Sequence, residues 1–161
     1  MSWTCFFLGG ILLCLMVLWN DTFARFVIGL TAGLLLGFGC NTTFGFRIHP
    51  DHPEMTLVTL LVVLGAMSGF LTVKKPYWSI IISTSWIGAN TMAWGLGYFV
   101  GQYPNGASLS KFRDPESHHY AIPSAWWGYL AGTVVCFLLG TLLQHYANDN
   151  YHFSHARGDH Y

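Results

Sequence analysis

Charge is absent from three long stretches of this chain: residues 55–73, 77–100 and 121–144 contain no Asp, Glu, Lys or Arg. A water-soluble fold keeps one face of each element wet with charged side chains, so uninterrupted runs of this length point to lipid as the solvent. Only 9% of the residues are charged and 53% are hydrophobic, whereas soluble domains carry about 25% charged residues. At about 20 residues per crossing, the runs Thr22–Cys40, Met55–Val73, Tyr77–Val100 and Ala121–Gln144 each read as a transmembrane helix. The expected fold is all-α: a multi-pass membrane helical bundle of four to five spans over residues 1–144. A polar tail rich in His and aromatic residues follows over residues 145–161.

The run Trp3–Trp19 is shorter and is joined to the next by Asn20 and Asp21 alone. No Lys or Arg precedes its apolar core, and Trp19-Asn20 lacks the small residues of a cleavage site, so a retained helix is favoured over a signal sequence. A short span and an interfacial helix both remain open. Lys74 and Lys75 form the only adjacent basic pair, and the positive-inside rule places their turn on the cytoplasmic or matrix side. Arg25 and Arg157 then lie inside, and Arg47, Lys111 and Arg113 outside. Asn20-Asp21-Thr22 and Asn41-Thr42-Thr43 fit the glycosylation acceptor pattern, but both touch a span end, where an acceptor is hard to reach. They are read as structural.

Small residues recur at helical spacing. Gly29, Gly33 and Gly37 fall every four residues in the second run, Gly65 and Gly69 in the third, and Ala89, Ala93 and Gly97 in the fourth; Gly128, Gly132, Cys136 and Gly140 do so in the fifth. Positions four apart share a helix face, and in lipid such faces let two backbones approach for van der Waals contact. These stripes predict tight packing, either within the chain or against another subunit. Trp3, Trp19, Tyr77, Trp78, Tyr98, Tyr103, Trp126 and Trp127 lie near run ends, as interfacial aromatics do. Trp86 and Trp94 lie deeper and are read as filling space beside a stripe.

The spans hold no Asp, Glu, Lys or His, and Arg25 lies near an entrance. Proton relays, ion-coupled transport and voltage sensing use ionisable groups within the membrane, so those classes lose support. Ser83, Thr84, Ser85 and Asn90 concentrate polarity in the fourth run. They suit either a narrow polar path or interhelical hydrogen bonds, the latter being favoured. Met67 and Met92 remain as intramembrane side chains of a haem-ligand type, and read as filler. All eight histidines lie outside the spans. Of these, His152 and His155 would share a helix face beside Asp149 or Asp159, a weak metal-site candidate without an established ligand motif. The four cysteines, Cys5, Cys14, Cys40 and Cys136, include no C-x-x-C pair. No partnered nucleophile, phosphate-cradling loop or paired carboxylate is present, so no enzymatic activity is expected. The balanced charge excludes the basic footprint of a nucleic-acid binder.

Gly65-Ala66-Met67-Ser68-Gly69-Phe70-Leu71, Lys74-Lys75, Ser83-Thr84-Ser85-Trp86-Ile87-Gly88-Ala89 and Gly95-Leu96-Gly97-Tyr98-Phe99-Val100 resemble the later helices of the seven-span family typified by transmembrane protein 198. Gly140 through Gln144 is similar as well, and the likeness runs over roughly Phe23–Gln144. It implies a non-enzymatic membrane protein without catalytic residues; one family member is a scaffold in Wnt receptor signalling. This chain is short for the family, and the resemblance implies that the first helices are missing.

The leading expectation is a non-catalytic accessory subunit of a larger membrane complex, such as a respiratory-chain or ATP-synthase assembly of the mitochondrial inner membrane. Its partners would be other membrane subunits and lipids, with no cofactor beyond bound lipid. A self-associating channel or carrier lined by Ser83, Thr84, Ser85 and Asn90 is one alternative. A signalling scaffold is the other.

Overall fold

Breaks in the helical path fall where the backbone loses a hydrogen-bonding partner. In the computed structural model, which describes the backbone of residues 2–45, 53–100 and 124–158, five helices follow in order. They are α1 (Ser2–Trp19), α2 (Asp21–Thr43), α3 (Pro53–Lys74), α4 (Pro76–Val100) and α5 (Ala125–Gly158). Asn20 separates α1 from α2 by turning extended, and its side-chain oxygen accepts from the Thr22 and Phe23 amides at 3.0 and 3.2 Å. That is an N-cap, a contribution of about 1 kcal/mol, and it gives the Asn20-Asp21-Thr22 pattern a structural role. Lys75 alone links α3 to α4; Pro76 has no amide proton and is tolerated only in a first turn, so a new helix starts there.

Asp21–Thr43, Met55–Lys74 and Ala125–Asn148 are long and apolar enough to cross a membrane. With 25 residues, α4 matches them in length, but Ser79, Ser83, Thr84, Ser85, Asn90 and Thr91 lower its mean hydropathy. The expectation of a fourth span therefore rests on its length and on its packing against α2 and α5. The 18 residues of α1 reach about 27 Å at 1.5 Å per residue. Its Phe7, Leu8, Ile11, Leu12 and Leu15 are all exposed, so little of the chain covers it. Beyond Gln144, α5 continues without a break, and His145 and Asn148 pack back on α4: the Trp78 and His145 rings lie 5.0 Å apart, and Asn148 Nδ2 donates to the Tyr77 hydroxyl at 2.7 Å.

The bundle is assembled as two antiparallel pairs, α2 with α3 and α4 with α5, joined where α4 crosses α2. Its interior inverts that of a soluble protein. Among the described residues the buried apolar side chains are Ala32, Ala89, Ala93 and Trp126, and the buried polar ones are Asn41, Thr42, Thr72, Ser83, Ser85 and Thr133. Val62, Met67, Phe70, Leu139, Leu142 and Leu143 instead point outward. Lipid solvates large apolar side chains as well as a protein core does, so small residues rather than large ones are selected for the interior. Trp94, 65% exposed, also faces outward, whereas Trp86 packs edge-on to Phe137 at 5.5 Å. The expectation that both tryptophans fill the interior therefore holds for Trp86 alone: eight residues drift about 80° around a helix, enough to carry Trp94 off the packed face.

A methyl group placed on Gly33 would lie 2.8 Å from the Gly65 Cα and closer still to the Leu64 carbonyl oxygen. Gly33→Leu should therefore force α2 from α3 and destabilise the protein by roughly 1–3 kcal/mol or more. The check is thermal unfolding in detergent, where an unchanged midpoint would refute this seam.

Candidate functional site

Two helix faces carry the features from which a function can be read. The first is the α2–α3 seam. Gly29 lies over Ser68 and Thr72, with a methyl in its place 2.6 Å from the Ser68 carbonyl oxygen; Gly37 lies over Leu60 and Leu61. From the opposite side Gly65 receives Leu30 and Gly69 receives the Phe26 ring. The missing Cβ atoms let each backbone rest against the other, which favours weak Cα–H···O contacts as well as dispersion. The face continues past Gly37 to Asn41, 1% exposed, and then to buried Gly45. Burial of Asn41 within this seam removes the Asn41-Thr42-Thr43 pattern from the reach of a glycosyltransferase.

The second face belongs to α4 and α5. Ala89, Ala93 and Gly97 are buried as a stripe, and Ser85 extends it by one turn. Ser85 meets Gly140 of α5: a methyl on Gly140 would lie 3.5 Å from the Ser85 hydroxyl oxygen. Cys136 Sγ lies 3.8 Å from Met92 Sδ. Gly128 and Gly132 differ from the glycines of the α2–α3 seam, since both are exposed and a methyl on either would meet nothing within 4 Å among the described residues. Within the chain, the buried side of α5 is instead marked by Trp126 and Thr133, seven residues apart, with Gly140 seven further on.

The polar residues of α4 are not gathered on one path. Ser83 and Ser85, both buried, are two residues apart and so about 200° apart around the helix. The Thr84 hydroxyl bonds the Ile80 carbonyl at 2.8 Å and reaches Gln144 of α5 at 3.1 Å. Asn90 Nδ2 donates to the Trp86 carbonyl at 2.8 Å, within its own helix. Nine threonines do the same, each donating to the carbonyl four residues back. With no water available in a bilayer core, a hydroxyl satisfied by its own helix can be buried or turned to lipid at low cost. The Ser85 hydroxyl, like the neighbouring Trp86 indole Nε1, is buried without a hydrogen-bond partner.

No group of three or more His, Cys, Asp and Glu capable of holding a metal occurs among the described residues. The side chains of His152 and His155 lie outside them, as do His49, His52, His118, His119 and His160. Met67 and Met92 are both exposed on outer faces. Sequence reading missed the burial of Asn41, Thr72 and Thr133. For Asn41 the signal was present, since it falls four residues beyond Gly37 on the same face.

Helices with small interiors and large apolar exteriors define the class: this is an integral, all-α membrane protein. A family model described as TM7S3/TM198-like domain matches residues 1–145, and the chain belongs to that family. The match takes in α1 as well, whereas the resemblance read from the sequence covered roughly Phe23–Gln144. No curated protein matches the chain. No solved structure matches it either.

Ser85→Ala removes a buried hydroxyl without a partner, and should leave stability unchanged or raise it by up to about 1 kcal/mol. A lower thermal midpoint in detergent would reveal a bonding role for this hydroxyl.

Proposed function

We propose that this protein is a non-catalytic membrane subunit that docks sideways, within the bilayer, onto other membrane proteins. The observation that carries this reading is the open pair Gly128 and Gly132 on α5. Glycine is a weak helix former, by about 1 kcal/mol relative to Ala, and in the α2–α3 seam each glycine is matched by a neighbouring backbone or side chain. On α5 the same spacing meets no neighbour among the described residues, which suits it to the backbone of a partner helix. The largely uncovered apolar surface of α1 gives a second lateral face. Asp21, Lys74 and His145 fall in the end turns of the spans, and the absence of Asp, Glu, Lys and His from the span cores supports a structural role over a catalytic or ion-coupled one. Family and helices identify a membrane protein without specifying which membrane holds it.

A channel or carrier reading draws less support, since Asn90 directs its hydrogen bond to its own helix, Thr84 is held by its own helix and by Gln144 of α5, and Ser83 and Ser85 diverge in direction. For the subunit reading, Gly132→Leu is the informative variant because a side chain there meets nothing among the described residues. It should leave the thermal midpoint of the purified protein unchanged and shift the chain from a larger particle to a smaller one on native gels after mild detergent extraction. Mass spectrometry of that particle identifies its partners. Identical migration of the variant and the wild-type protein would overturn docking through α5.

A further inference from the structure

The end of the bundle that carries Lys74 and Lys75 also holds an open cleft of about 680 Å³ between three helices. Arg25 enters it from α2, Tyr77 and Ile81 from α4, and Gln144, Ala147 and Asn148 from α5. Arg25 is half-buried, and among the described residues it forms no ion pair; Asp21, one turn earlier on α2, is exposed to solvent. A guanidinium is always charged and presents five donors in a fork suited to carboxylate or phosphate. One set against apolar walls, with no countercharge paired to it among the described residues, is matched by an anionic ligand.

The neighbouring groups favour the same sign. Asn148 Nδ2 donates to the Tyr77 hydroxyl at 2.7 Å, so the hydroxyl, having accepted one bond, keeps its own proton to give. Lys75 directly precedes Pro76 at the cleft rim, and Lys74 is poised with Nζ 4.7 Å from the Phe70 ring centre. Tyr77 and Trp78 are about half-exposed at this end, as rings at headgroup level are. Ile81 and Ala147 make the remaining wall apolar, which suits the glycerol backbone and first methylenes of a lipid better than an isolated ion.

We propose that this cleft holds the phosphate of an anionic phospholipid, with Arg25 as its countercharge and Tyr77, Gln144 and Asn148 as hydrogen-bonding neighbours. The site uses the membrane placement of the chain and is independent of docking through α5. Ala147 is exposed and lines the cleft, so Ala147→Trp fills the space without altering charge, while Arg25→Gln removes the charge without filling it.

The test titrates the full chain, in mild detergent, with phosphatidylglycerol or phosphatidylcholine and counts retained lipid by native mass spectrometry. The wild-type protein should retain phosphatidylglycerol in preference to phosphatidylcholine, and R25Q and A147W should each lower phosphatidylglycerol retention about fivefold with phosphatidylcholine unaffected. Millimolar inorganic phosphate should not displace the lipid. Equal retention of the two lipids by the wild-type protein would overturn the site, as would displacement by phosphate alone. Undiminished phosphatidylglycerol retention in A147W with native helix content by circular dichroism would also overturn it, whether or not R25Q folds.

Discussion

Backbone contact between α2 and α3 is the interaction on which the rest of the bundle depends. In water these helices would be driven together by hiding Leu and Val; in lipid that drive vanishes, because acyl chains solvate the same side chains equally well. What remains is dispersion at short range, and it requires that nothing project from the surfaces that meet. Gly29, Gly33 and Gly37 on one helix and Gly65 and Gly69 on the other meet that requirement. The seam gives α4 a fixed surface to cross, and α5 then packs on α4.

The same loss of water governs the polar groups. A hydroxyl in hydrocarbon needs a partner, and threonine finds one in the carbonyl of the preceding turn, as Thr72 does with Ser68 at 2.8 Å beside Gly29. Thr72 can therefore occupy the most buried part of the seam, at 1% exposure, with its polarity spent locally. This explains how the interior holds more polar than apolar side chains while the large hydrophobics line the outside. It also bears on transport: a hydroxyl or amide bonded to its own backbone, like Thr84 or Asn90, has less to offer a passing solute.

Much of this was legible in sequence. The charge-free runs locate α3, α4 and most of α5, because span length and charge avoidance are set by bilayer thickness alone. The four-residue spacing marks the faces of α2 and α3 because helix geometry is periodic. Spacing leaves the partner of α5 open, where Gly128, Gly132, Cys136 and Gly140 form as regular a series as any other, yet the first two meet nothing among the described residues while Trp126 and Thr133 are buried. Periodicity shows that a face exists, and a second helix decides whether it is used. The cleft around Arg25 was equally hidden, since residues 25, 77 and 144 become neighbours only when three helices are in place.

The sequence by itself therefore determined the solvent, the helical class and the positions at which backbones are able to touch, because these follow from composition and from the 3.6-residue repeat. Its motifs also carried the likeness to the TM7S3/TM198-like family that the family match extends to residues 1–145. Only the tertiary structure decided which stripes close on one another, which hydroxyls bond within their own helix, and where a guanidinium with no ion pair among the described residues meets apolar walls. Those outcomes depend on the relative rotation of packed helices, and a turn of one helix by a single residue, about 100°, reassigns the faces of that helix without changing a letter of the sequence.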